Sequence, residues 1–192
     1  VDTGINADDQ NLGPFALGFN FPFYGANYSS MRVCSNGWLS PTATTTQFTN
    51  AAIPTSAAPN NIICPFWDDL LPTTTRGKVF FRSEPSLGRA IFEYKKVPRF
   101  SSPSDTLTFQ VILGADGSIQ YNYLRLNGVT NSATVGIEDA AGTTGLQVVF
   151  NAAYLHNGMS ILIQAEQPWL SASPAGGTVA PGGTQDLDVA CD

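Results

Sequence analysis

Charge is the scarcest thing in this chain. Asp, Glu, Lys and Arg together make up 12% of the 192 residues, about half of the roughly 25% found in ordinary globular proteins. Its surface must therefore be built from Thr, Ser, Asn and Gly, as in many extracellular β proteins and unlike a cytosolic enzyme or a disordered tail. The nine Lys and Arg are scattered and are outnumbered by 15 acids, giving a net charge of −6. That excludes a nucleic-acid partner, because phosphate binding needs clustered cations, and leaves divalent cations open. Histidine is nearly absent: His156 is the one example, in the turn-like Tyr154-Leu155-His156-Asn157-Gly158. Any Ser-His-Asp or Cys-His arrangement would have to pass through it, and one His with three Cys makes no standard zinc or redox set. No apolar run reaches the roughly 18 residues of a membrane-spanning helix. Apolar residues nowhere recur at helical spacing for three turns, so no glycine-rich phosphate loop opens a helix. The start, Val1-Asp2-Thr3, carries neither Met nor a basic-then-apolar leader, which fits an exported form whose signal peptide has been removed.

What is present is strand-forming. With 43% hydrophobic residues the chain can bury one core. The run Asn61-Ile62-Ile63-Cys64-Pro65-Phe66-Trp67-Asp68-Asp69-Leu70 predicts a buried strand breaking into a turn, with Pro65 at a bulge, an edge or a strand end. Ahead of it, Phe15 to Gly25 predicts an aromatic strand and Met31 to Ser40 a hairpin around Asn36-Gly37, whose type I′ turn needs positive φ at both positions. Residues 41–59, rich in Thr, Ala and Ser, predict a long surface loop, a place to look for binding. Downstream, Gly77 to Ser83 pairs with Arg89 to Lys95. A hairpin follows around Ala115-Asp116-Gly117, and period-2 alternation returns at Ala133–Ile137, Leu146–Phe150 and Met159–Ala165. About ten short strands with Gly-bearing turns indicate an all-β, antiparallel β-sandwich.

The division expected is a polar arm over residues 1–13, the sandwich over 14–166, and a Gly/Pro-rich tail over 167–192. The tail has strand-like pieces around Thr178-Val179 and Gln185 to Cys191. In the second piece Leu187, Val189 and Cys191 share one face, and such a strand needs a sheet to lie on.

Three cysteines are an odd count. Cys34 and Cys64 lie in strand-like segments, in position for a cross-strand disulfide, while Cys191 is left over for an intermolecular bond; three reduced thiols are the other reading. Asp68-Asp69 fails as a glycosidase dyad, because neighbours on an extended chain point to opposite faces. Two readings remain: carboxylates capping the turn after Trp67, or part of a Ca²⁺ site. The three tryptophans and their tyrosine neighbours serve either as core anchors or as sugar-stacking platforms. Asn27-Tyr28-Ser29 fits the N-glycosylation pattern.

Several ordered motifs together resemble the NIDO (nidogen-like) β module of bacterial secreted and surface proteins. They are the Phe-rich opening ending in Tyr24-Gly25, Ser35-Asn36-Gly37-Trp38, Pro65-Phe66-Trp67-Asp68-Asp69 and Thr108-Phe109-Gln110-Val111. From Trp169 onward the tail resembles the first half of an immunoglobulin-like repeat. The resemblance implies an exported β-sandwich with adhesive or structural rather than enzymatic work, and it supplies no ligand.

The resulting expectation is a non-catalytic extracellular or cell-surface module without a bound cofactor, calcium excepted. It would associate head to tail with copies of itself through strand addition of Leu187, Val189 and Cys191, as in a filament or surface layer. The alternative is an adhesion module that binds carbohydrate or protein through residues 41–59. A hydrolase would need Asp68 and Asp69 to converge with Glu93 or Glu138.

Overall fold

The computed structural model describes residues 1–165, 170–173, 178, 184 and 188–191. Among them there is no α-helix, and the strands form two large antiparallel sheets. The first has the order β1-β2-β3-β4-β9-β10: β1 (Asn11–Phe23), β2 (Ala26–Cys34), β3 (Trp38–Ser40), β4 (Ile62–Trp67), β9 (Thr134–Glu138) and β10 (Gly145–Phe150). The second has the order β11-β8-β7-β6-β5: β5 (Lys78–Glu84), β6 (Arg89–Arg99), β7 (Ser102–Gly114), β8 (Ile119–Asn127) and β11 (Met159–Ile163).

The alternation read from the sequence is what closes the sandwich. Leu17, Phe21, Val33, Leu39, Ile63, Phe66 and Val135 of the first sheet meet Val79, Phe92, Tyr94, Phe109, Val111, Tyr121 and Tyr123 of the second in one core. Phe109 is its centre, with ring centroids 4.6 Å from Tyr94 and 5.7 Å from Phe66. Three tyrosines of the second sheet also cross this core with their hydroxyls. Tyr94 donates to the Cys34 carbonyl at 2.6 Å, Tyr121 to Gly136 at 2.8 Å and Tyr123 to Pro65 at 2.6 Å. A buried phenol needs such a partner. Pro65 offers one because β4 slips register between Cys64 and Trp67, which is the bulge its missing N–H requires.

The hairpin around Asn36-Gly37 forms, but with Cys34 opposite Trp38 its loop has three residues. Only Gly37 has positive φ, at +76°. The turn is therefore not the two-residue type I′ form, and a single left-handed glycine suffices. In β10 a register shift between Gln147 and Val149 turns Val149 inward and leaves Leu146 half-exposed, against the simple alternation expected there.

The N-terminal residues are not a loose arm. Asp2 bridges to Phe80, the Val1 ammonium donates to the Phe81 carbonyl at 2.6 Å, and Ile5 is fully buried. They cover the free side of β5, an edge that would otherwise invite pairing. In the tail, β12 (Leu170–Ser173) pairs antiparallel with β13 (Asp188–Cys191). Thr178 itself is not in a strand, and the rest of the strand-like piece expected around it, with Leu187, lies outside the described residues.

Candidate functional site

The two most distinctive sequence motifs lock together. Asn36 is the hub: its side-chain carbonyl accepts the Leu70 N–H at 3.0 Å and its backbone carbonyl the Asp68 N–H at 3.3 Å. Its amide donates to Asp9 at 2.8 Å and to the Thr46 carbonyl at 3.1 Å. Gly37 is obligatory, because a Cβ there would sit 1.8 Å from the Phe66 carbonyl oxygen.

Asp68 is buried and fully engaged. Its Oδ2 accepts from Arg99 Nε at 3.0 Å and Ser132 Oγ at 2.6 Å, and its Oδ1 accepts the Asp69 N–H at 2.9 Å. The Asp69 carboxylate has no hydrogen-bond partner among the described residues, and burial, with Asp8, Asp9 and Asp68 nearby, pushes its pKa up to about 6. Among the described residues no group of three or more His, Cys, Asp or Glu side chains is placed to hold a metal ion. Glu138 holds the Thr55 N–H at 2.6 Å, and Glu93 faces a groove on the second sheet. The acids a hydrolase would need are thus held in separate surroundings.

Residues 41–59 form a strap across the outer face of the first sheet. The indole N–H groups of Trp38 and Trp67 both donate to the Gln47 carbonyl, each at 3.1 Å. Farther along, Asn50 donates to Ser132, Thr134 and Asn151, and the Ile53 N–H donates to Gln147. Beneath the strap lies a second small core of Cys34, Trp38, Ile53, Ile62, Cys64 and Trp67, with Ala43 and Ala51 against it. It explains why β4 is buried on both faces and why its sequence is continuously apolar. Trp38 and Trp67 are core anchors, Trp169 lies outside the described residues, and Phe48 on the strap is exposed.

The expected Cys34–Cys64 disulfide is not formed; both are free thiols. Strand order is the reason, since β3 lies between β2 and β4. Cys34 faces Trp38, and the Leu39–Ile63 register puts Cys64 on the other side of Trp38. Two strand spacings separate the cysteines by roughly 10 Å, beyond the reach of a disulfide. Burial pushes the Cys34 thiol up to about 12 and the Cys64 thiol upward as well.

Asn27 is exposed on β2, beside the hairpin that ends β1. His156 is an exposed loop residue whose Nδ1 lies 3.0 Å from the Asn157 carbonyl.

Among the described residues, one flank of the sandwich is open: β10 and β11 each pair on one side only and end their sheets on the flank opposite the one where β1 packs near β5. At one end of this flank is a cavity of about 410 Å³ lined by Phe23, Ile119, Ile137, Leu146 and Ile163, with Tyr24 at the rim. Leu146 and Leu162, one on each edge strand, are 48% and 57% exposed. The sequence hid this feature because which strands end a sheet depends on their order, not on their pattern.

The two-sheet fold, the Ser-Asn-Gly-Trp turn and the Pro-Phe-Trp-Asp-Asp corner agree with a match to the family model described as NIDO related, over residues 1–180. The chain belongs to the NIDO-related family. No solved structure matches it. The NIDO-related match runs past the sandwich into the tail, and it gives no support to an immunoglobulin-like half-repeat there. No helix among the described residues is long and apolar enough to cross a membrane.

Proposed function

We propose that this NIDO-related chain is a non-catalytic extracellular structural module that associates head to tail with copies of itself. The C-terminal strand of one copy adds to the β10–β11 flank of the next. The observation that carries this reading is the open flank: two strand edges with no partner among the described residues, bordering an apolar cavity, with Leu146 and Leu162 exposed on them. An edge with free N–H and C=O groups beside an apolar groove is what strand addition uses, with backbone bonds for affinity and pockets for alternate side chains. The occupant is the segment containing Leu187, Val189 and Cys191. A two-stranded ladder of four residues per strand, such as β12–β13, is too small to be stable by itself and gains from joining a larger sheet. The contact is heterologous and builds a filament unless rotation closes a ring. In this reading Cys191, on the added strand, locks the joint by an intermolecular bond. Adhesion through residues 41–59 has less support, because much of the strap's hydrogen bonding is directed to the sheet beneath it.

Negative-stain electron microscopy and light scattering of the intact chain test this directly. Filaments or strings are expected, lost on deleting residues 168–192 and lost in a Leu146→Lys/Leu162→Lys variant. A truncated chain that still assembles, or an intact chain that stays monomeric at high concentration, overturns the proposal.

A further inference from the structure

The cations of this acidic chain are not distributed as its sequence suggests. Of nine, Lys78, Arg82, Arg89 and Arg99 each pair with a carboxylate. The Arg32 guanidinium is taken up by Asn11 and the Gly13 carbonyl. The other four, Arg76, Lys95, Lys96 and Arg125, have no carboxylate partner among the described residues, and they lie together. Lys95, Lys96 and Arg125 line a groove of about 680 Å³ with Thr106, Thr108 and Leu124. Lys96 and Thr106 also line an adjoining cavity of about 370 Å³ that Arg76 borders.

Two bulges build this groove, one on each side of Thr108. In β6 the register slips between Tyr94 and Val97, so that Lys95 and Lys96 together oppose Thr108. Lys96 takes φ +53° and donates its N–H to Thr108 Oγ1 at 3.1 Å. In β8 the register slips again: Thr108 faces Arg125, Phe109 faces Tyr123, and Leu124 is the extra residue. A regular strand would send one of two consecutive residues into the core. Here Lys95 and Lys96 are both exposed, as are Leu124 and Arg125. Bulges re-aim side chains beside functional sites, and a non-glycine residue held in the left-handed region marks a conformation that the surrounding structure enforces.

We infer that this groove binds an anionic polysaccharide, its carboxylate or sulfate groups held by Lys95, Lys96 and Arg125. Thr106, Thr108 and Glu93, the carboxylate that also lines the groove, face the sugar hydroxyls. A peptide is the poorer occupant. The groove lies on the face of β6, β7 and β8, interior strands whose backbone groups pair within the sheet, so a peptide finds no free edge and recognition rests on side chains. The groove is distinct from the β10–β11 flank, and its ligand does not depend on self-association.

The test is binding of the full-length chain to immobilised heparin and polygalacturonate, with dextran and poly-glutamate as comparisons, at low ionic strength. Binding to at least one charged polysaccharide and none to dextran is expected, weakening steeply with salt. Lys95→Gln/Lys96→Asn, with Asn chosen because it tolerates the left-handed region, should weaken binding at least tenfold. Arg82→Gln/Arg89→Gln, which removes the same charge elsewhere, should change it less than twofold. Should the lysine variant misfold, Arg125→Gln carries the test, with a several-fold loss expected. The inference is overturned if neither charged polysaccharide binds, if the control variant loses as much, or if poly-glutamate binds equally well.

Discussion

Trp38 and Trp67 share one hydrogen-bond acceptor, the carbonyl oxygen of Gln47. One sits on β3 and the other at the end of β4, so a single peptide group of the strap ties two neighbouring strands. Trp38→Phe and Trp67→Phe should each cost about 1 kcal/mol through the lost donor. The double variant should exceed their sum, because the carbonyl then keeps neither partner. Urea unfolding followed by far-UV circular dichroism measures all three, and strict additivity would mean the shared acceptor carries no coupling.

Gly37→Ala should be among the most damaging single-methyl changes in the chain. The added carbon meets a backbone oxygen at 1.8 Å in a φ of +76°, and neither strand can retreat without parting the corner at Phe66. A loss of more than about 4 kcal/mol or failure to fold is expected. Gly25→Ala has positive φ but nothing within 4 Å, and should cost only about 1–2 kcal/mol. Thermal unfolding of the pair separates steric conflict from backbone strain.

Arg99 lies between two buried carboxylates, bonded to Asp68 at 3.0 Å and 4.0 Å from Asp105, whose Oδ2 has no hydrogen-bond partner among the described residues. Removing the cation leaves both acids uncompensated, so Arg99→Ala should cost about 3–5 kcal/mol. Adding Asp68→Asn and Asp105→Asn to that variant should recover part of the loss. A triple variant no more stable than Arg99→Ala would show that the charge balance is not what the arginine supplies.

Asp69 makes the fold sensitive to pH in an unusual direction for a carboxylate. Its folded pKa of about 6 exceeds the unfolded value near 3.9, so between these values the folded state holds the extra proton. Stability therefore falls as pH rises through that window and stays lower at pH 7. Asp69→Asn removes this dependence. It should be more stable than the parent at pH 7 by about 1 kcal/mol, allowing for solvent screening of a partly exposed group, with the gain vanishing near pH 4. Denaturant titrations at both pH values give the comparison.

Cys34 and Cys64 should resist iodoacetamide at pH 8 in the native chain and react fully once it is unfolded, since burial keeps both thiols protonated. Peptide mapping of the alkylated sites would report each cysteine separately. Native labelling of either would mean the strap opens.

The strands were legible because alternation is local: Leu107, Phe109, Val111 and Leu113 point inward as their spacing dictates. The buried β4 was legible too, from its continuous apolar run and Pro65. Strand order was not, and the Cys34–Cys64 pairing failed on that point, since nothing in either segment says that Trp38 stands between them. Residues 41–59 are the loop their composition indicates, but their hold on the sheet is not legible, because it comes from backbone carbonyls and small side chains such as Ala43 and Ala51. Lys95-Lys96 looked like two scattered charges, because a bulge leaves no mark on composition.

The three tyrosine hydroxyls that cross the core have a mechanical consequence. Tyr94, Tyr121 and Tyr123 anchor one sheet to carbonyls on three strands of the other, β2, β9 and β4, where apolar packing alone would let the layers slip. Tension that slides one sheet over the other must break these bonds together rather than in turn. In a chain of linked copies, each unit would then yield abruptly at a threshold load instead of stretching gradually.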